Sequence, residues 1–265
     1  MSSRGLYTAS SAMMMDMVRM DTLSNNLANL NTTGYKRMQT LHHDFQRGLL
    51  ERMKNSQSYL NQRSDQEEVA FRSSQDVPLG HLGTGTVVSG IYTDFSSGSV
   101  EDTGNSFDLA LQGDGFFTVE TPSGLMYTRN GAFTRNGEGE LVTSEGFRVL
   151  GQNGPIVLPE QGVTITEQGE IYAGQEHLDS LQITDFEEPW SLIRRGSSFF
   201  AAPSDAPQTE AEAKVLQGKL EHTNVNTAGE MVQMITALRS YQMSQKALQS
   251  EDELTGRLLE LGRPA

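Results

Sequence analysis

Apolar residues recur along this chain with two different periods, and the change of period divides it in three. Near the N-terminus Leu6, Met13, Met20 and Leu27 repeat every seven positions, and a second row reads Ala9, Asp16, Leu23 and Leu30, with Met17 beside the polar misfit. A seven-residue apolar repeat is the seam of a coiled-coil helix. The spacing predicts a helix of about 27 residues, roughly 40 Å long. It should end near Asn31-Thr32-Thr33-Gly34, where glycine takes the left-handed conformation that terminates helices. At the other end Met231, Met234, Ile235, Leu238, Tyr241 and Leu248 follow one helical face. Thr227-Ala-Gly-Glu230 opens that run as a capping box, and Gly262 and Pro264 close it.

Between Thr84 and Phe200 the helical period disappears and short β-rich runs alternate with turn dipeptides. Leu109 and Leu111 precede Asp114-Gly115, with Phe117 and Val119 after it; Tyr127 precedes Asn130-Gly131, with Phe133 after it. Asn136-Gly137, Asn153-Gly154 and Gln168-Gly169 are further punctuation. Asn-Gly and Asp-Gly between strand-like runs are strong hairpin cues, because both residues tolerate positive φ. The region reads as antiparallel, hairpin-rich and irregular, without a fixed-period repeat.

Composition follows the same division. Of the 26 glycines, 18 lie between Gly83 and Gly196, whereas 11 of the 12 methionines fall at positions 1–53 or 231–243. Helices tolerate the second composition and are broken by the first. The reading is therefore an α+β protein. A terminal-helix domain (1–45 plus 219–262), in which long N- and C-terminal helices pair as a coiled coil, is joined by a linker over 46–82, an irregular antiparallel β-rich domain over 83–202 and a second linker over 203–218. Narrow methionine-rich stripes make marginal helices alone and adaptable contacts with neighbours.

The formal charge of −14 is unevenly spread: residues 55–217 carry −16, while the ends carry +3 and −1. Clustered basic residues, which phosphate binding needs, are missing, so nucleic acid is not an expected partner. No run reaches the roughly 18 apolar residues of a membrane helix, and no ordinary cleaved signal is visible. With no cysteine in 265 residues, disulfides, thiolate metal sites and a cysteine nucleophile are excluded.

Enzyme templates find no purchase. Gly83-Thr-Gly85 and Gly113-Asp-Gly115 lack the third glycine of a dinucleotide fingerprint and the Lys-Ser/Thr of a P-loop. His42-His43-Asp44 is the only local cluster with metal-ligand chemistry, but adjacent histidines point to different faces of a helix or strand. The middle carboxylates are spread evenly and read as a solvated face. The chain is read as a non-enzyme needing no cofactor or metal.

The N-terminal helix ends in Asn25-Asn26-Leu-Ala-Asn29-Leu-Asn31-Thr32-Thr33-Gly34-Tyr35-Lys36. Physically this reads as a helix cap, since Asn and Thr side chains bond the last carbonyls. The run also closely resembles the N-terminal signature of the bacterial flagellar hook–basal-body family of axial proteins, carried by Asn26, Asn29, Asn31, Thr32, Gly34, Tyr35 and Lys36. Two further blocks resemble the same family, TGNSFDLALQGDGFFTVE with YTRNGAFTRNGEGELVTSEGFRVLG, and GKLEHTNVNTAGEMVQMITALRSYQMSQKAL. Ser106 departs from it, standing where many relatives have proline in an Asn-Pro-apolar-Asp turn.

The resemblance implies that the terminal helices form the inner tube of an axial structure and the β-rich middle its outer layer. On that basis the subunit assembles through Leu6, Met13, Met17, Met20, Leu23, Leu27 and Leu30 on the first helix. The second helix contributes Met231, Met234, Ile235, Leu238, Tyr241 and Leu248. Its implied partners are copies of itself, other rod and hook subunits and the flagellar export apparatus, with no membrane insertion. The implied location is the basal body, crossing the envelope, reached without a cleaved signal peptide. The length suits a rod subunit better than the longer hook protein. Two rival readings are a non-flagellar binding module, a β domain on a coiled-coil stalk, and an envelope hydrolase. The first would form a discrete oligomer, and the second needs a carboxylate pair in a cleft.

Overall fold

A computed structural model describes residues 2–44, 86–159, 162–203, 206–211 and 213–261. The linker expected over 46–82 lies outside the described residues. The fold is α+β: a helix α1 (Ser2–Ala28), an antiparallel β-rich middle and a helix α2 (Thr227–Leu261). Among the described residues it forms two compact units.

The first unit comprises 2–23, 39–44, 86–91 and 231–261. Here α1 and α2 lie side by side and antiparallel. The Arg19 guanidinium meets Gln233 Oε1 at 3.5 Å, and Gly5 lies close enough to Glu251 that an added Cβ would come within 3.0 Å of its carboxylate. Neither helix contains proline, which is why each runs unbroken. Met38–Asp44 pairs with Thr86–Thr93 as a two-stranded ribbon.

The second unit comprises 24–38 and 92–230 and contains the β structure. Phe116–Thr121 is the hub of its largest sheet. On one side it pairs along its length with Gly124–Thr128; on the other, Ile183–Phe186 takes its first residues and Arg148–Gly151 its later ones. Four consecutive residues, Phe116 to Val119, are buried because both faces of the strand are covered. Phe117 and Val119 enter the main core with Leu109, Phe133, Leu141, Val149, Ile156 and Ile171. Phe116 points the other way, into a second cluster of the aromatic residues Tyr127, Phe186 and Phe200 with Leu192.

Two corrections to the expected layout follow, one from strand pairing and one from the end of the first helix. The stretch 203–218 is not a plain linker: Gln208–Glu210 pairs with Ile183–Phe186, and Lys214–Gln217 pairs with Leu109–Gln112. Helix α1 ends at Ala28, before the asparagine-rich turns. Gly34 does adopt a left-handed φ of 65°, but well past the helix end.

Candidate functional site

Beyond α1 the chain turns twice and its next residues become buried. Asn29 and Thr32 make the cap that the sequence suggests: Asn29 Nδ2 donates to the Asn25 carbonyl at 2.8 Å, and the Thr32 hydroxyl donates to Asn29 Oδ1 at 3.1 Å. Asn31 stays exposed. The remaining signature residues, Asn26, Gly34, Tyr35 and Lys36, are buried in a polar junction.

Asn26 uses its full hydrogen-bonding capacity. Its Oδ1 accepts from the Met38 amide (2.9 Å) and the Tyr35 hydroxyl (3.0 Å), and its Nδ2 donates to the Met38 carbonyl (2.9 Å) and Glu230 Oε2 (3.2 Å). One side chain thus fixes the departing backbone and the start of α2. Glu230 is free for this because the α2 N-cap is Asn226, whose Oδ1 accepts from the Gly229 amide at 3.0 Å. The capping box expected from Thr227 and Glu230 is therefore not formed. Glu230 also faces Arg37 at 3.4 Å, and Arg37 faces Asp94 at 3.4 Å.

Gly34 donates its amide to the Glu221 carbonyl (2.8 Å) and presses against the Arg129–Asn130 peptide. Next to it, Lys36 Nζ donates to Glu221 Oε1 at 2.8 Å and to the Ser96 carbonyl at 2.9 Å, with both ionic side chains 1% exposed. The second Glu221 oxygen lies 3.5 Å from Arg129, which is 3% exposed and sits over the Phe116 ring. Arg194 stacks on Tyr35 and donates to the Lys36 carbonyl. Burial pushes the ammonium pKa of Lys36 down, opposed by Glu221, and pushes the phenol of Tyr35 up, opposed by Arg194.

The partners of this junction are the residues sequence reading misses. Arg129, Glu221 and Asn224 lie inside the blocks that resemble the family but carry no local chemical signal of their own, while Arg37, Asp94 and Arg194 sit in no motif, and a charged residue in a mostly acidic stretch reads as solvated surface. Long-range contacts bring them together, among them the pairing of Lys219–Glu221 with Val100–Asp102.

Three segments of the chain match family models. Residues 6–36 match "Flagella basal body rod protein", 110–173 match "Flagellar hook protein FlgE/F/G D1 domain" and 216–261 match "Flagellar basal body rod FlgEFG protein C-terminal". The chain is 33% identical over 272 residues to the flagellar basal-body rod protein FlgG of Borreliella burgdorferi, covering 96% of each. It belongs to the flagellar basal-body rod protein family. FlgG of Agrobacterium fabrum is 31% identical, covering 95% of this chain and 96% of that one. FlgF of Mesorhizobium japonicum is 31% identical as well, with 94% and 95% covered.

The chain is accordingly a structural rod subunit of the flagellar basal body, working among other rod and hook subunits, and not an enzyme. Each matched segment of this rod protein supplies one member of the buried charge cluster: Lys36 from the first, Arg129 from the second and Glu221 from the third. The helix-stripe residues are distributed differently. Leu23 is buried; Leu6, Met13, Met20, Leu27, Leu30, Met234, Tyr241 and Leu248 are half-buried; Met17, Met231, Ile235 and Leu238 are exposed. No described helix is long and apolar enough to cross a membrane.

Proposed function

We propose that the two terminal helices, paired as a coiled coil, are the assembling part of this rod subunit. Their outward apolar residues would contact neighbouring copies and other rod or hook subunits. The observation that carries this reading is a set of large apolar side chains left in water on both helices. Met231, Ile235 and Leu238 are spaced for one face of α2 and are 46–52% exposed. Tyr7, Met14 and Met17 on α1 are 51–68% exposed. An isolated exposed leucine needs no explanation, but aligned ones mark a contact surface. The half-buried residues of the two stripes would form the seam between the helices.

The same reading takes the subunit to its site through the flagellar export apparatus without a cleaved signal, and gives it no nucleic-acid partner and no membrane insertion. A cysteine-free chain suits passage in an unfolded state.

Met17→Lys and Ile235→Lys test it. Both positions face solvent, so the purified variants should unfold within about 0.5 kcal/mol of wild type. They should nevertheless fail to restore motility or to appear in isolated basal bodies. Normal incorporation of both variants would refute the assignment of these faces.

A further inference from the structure

We infer that Glu221 is a folding latch, holding the second unit open until the segment just before α2 has closed onto the chain's N-terminal signature. Lys36 and Arg129 are both buried, and Glu221 is the one carboxylate that makes an ion pair with either of them among the described residues. It comes from 185 residues further along the chain than Lys36. Asp94 acts on Lys36, and Asp114 and Asp185 on Arg129, only through space. Until Glu221 arrives, closing the unit would bury two cations without a counter-ion, a state that low-dielectric surroundings strongly oppose.

The backbone imposes the same order. Val100–Asp102 pairs only with Lys219–Glu221 among the described strands, and Leu109–Gln112 only with Lys214–Gln217. The Asp108 carbonyl accepts from the Gly218 amide, the Gly34 amide donates to the Glu221 carbonyl, and the His222 amide donates to the Ser99 carbonyl. Val215 completes the main core beside Leu109 and Leu111. The packing at Gly98 leaves no slack, since an added Cβ would lie 1.8 Å from the His222 carbonyl oxygen. Long-range closures of this kind are slow, because loop entropy is lost before contacts reward it. In a chain delivered from its N-terminus the second unit would then stay open until residues 214–222 emerged. That consequence alone rests on the proposed export route; the latch itself does not.

The test is refolding of the full-length chain, followed by pulsed hydrogen exchange. The Gly34, Gly218 and His222 amides should become protected in the same phase as the core amides of Thr118, Leu141 and Thr143. Protection of the core amides in an earlier, separate stable phase would overturn the latch. Glu221→Gln keeps the shape and removes the charge; it should lower the folding equilibrium constant by more than roughly a hundredfold. Lys36→Met added to Glu221→Gln should recover part of that loss, whereas additive losses would overturn the charge argument. Because refolding in solution involves no assembly, its failure is separable from failure of the helix-face variants.

Discussion

Gly34 is the residue on which the junction turns. Its φ of 65° is a conformation that costs an L-residue about 1–2 kcal/mol. An added Cβ would also stand 2.4 Å from the Arg129 carbonyl carbon and the Asn130 nitrogen, which are backbone atoms with no rotamer to yield. Gly34→Ala should therefore cost more than about 2 kcal/mol, read as a lower urea midpoint at unchanged slope. Wild-type stability in that variant would mean the turn can open without loss. Asp94 offers a smaller effect with a definite sign. Burial raises its carboxyl pKa, but hydrogen bonds from Ser96 and the charge of Arg37 outweigh it and hold the group below its ordinary value. The unfolded chain then binds the proton more readily, so this contribution is present above the ordinary aspartate value of about 3.9 and is lost as pH falls through it to the lower folded value. Asp94→Asn should flatten that acid limb of the stability curve. The change at neutral pH should stay within about 1 kcal/mol, because the pair is 25% and 31% exposed.

At the scale of elements, what was legible in the sequence was local. Asn136-Gly137, Asn153-Gly154 and Gln168-Gly169 each fall at a turn between paired strands, with Arg135 opposite Leu141, Gly151 opposite Gly154 and Ile165 opposite Ile171. Asp114-Gly115 and Asn130-Gly131 carry the same cue and are not hairpins. Their glycines serve close approach instead: a Cβ on Gly131 would lie 1.7 Å from the Leu109 carbonyl oxygen, and one on Gly115 would lie 2.7 Å from the Ala211 Cβ. Sequence patterns cannot separate these two uses of glycine. Helix periodicity has a matching blind spot. It marks a stripe without saying which flank meets the chain's own partner, so Asp16, the misfit, is buried while Met17 beside it is exposed. The turn at Asn105–Asp108 is a place where local rules do suffice. Asn105 Oδ1 accepts from the Phe107 amide, its Nδ2 donates to Asp108 Oδ1, and the Asp108 amide donates to the Asn105 carbonyl. Ser106 occupies the second position of that turn, which favours proline. Ser106→Pro should raise stability by about 0.4–1 kcal/mol by restricting the unfolded chain. A loss in thermal unfolding would show that the position needs its amide or another backbone angle.

For the whole molecule the question is which force would draw copies together in the proposed assembly, since each carries a formal charge of −14. Like charges repel copies, and any added salt relieves that repulsion within a Debye length of about 8–10 Å. Salt-promoted association is therefore no evidence for apolar contact. If they meet in that assembly, the exposed methionines, isoleucine and leucine of the two helices add a term that screening does not supply, and it has two signatures. Burial of apolar surface is strengthened by sulfate beyond its ionic strength, and it weakens on cooling because its driving force near room temperature is entropic. Sedimentation of the full-length chain should thus show tighter association in sodium sulfate than in sodium chloride at matched ionic strength, with the excess shrinking toward 5 °C as in roughly any apolar association. In Ile235→Lys the sulfate excess should disappear while the response to sodium chloride remains, because the lysine removes apolar area and leaves most of the net charge in place. Equal association in the two salts would assign self-contact to relief of repulsion alone, and the exposed helix faces would then have to be matched to a different subunit rather than to another copy of this chain.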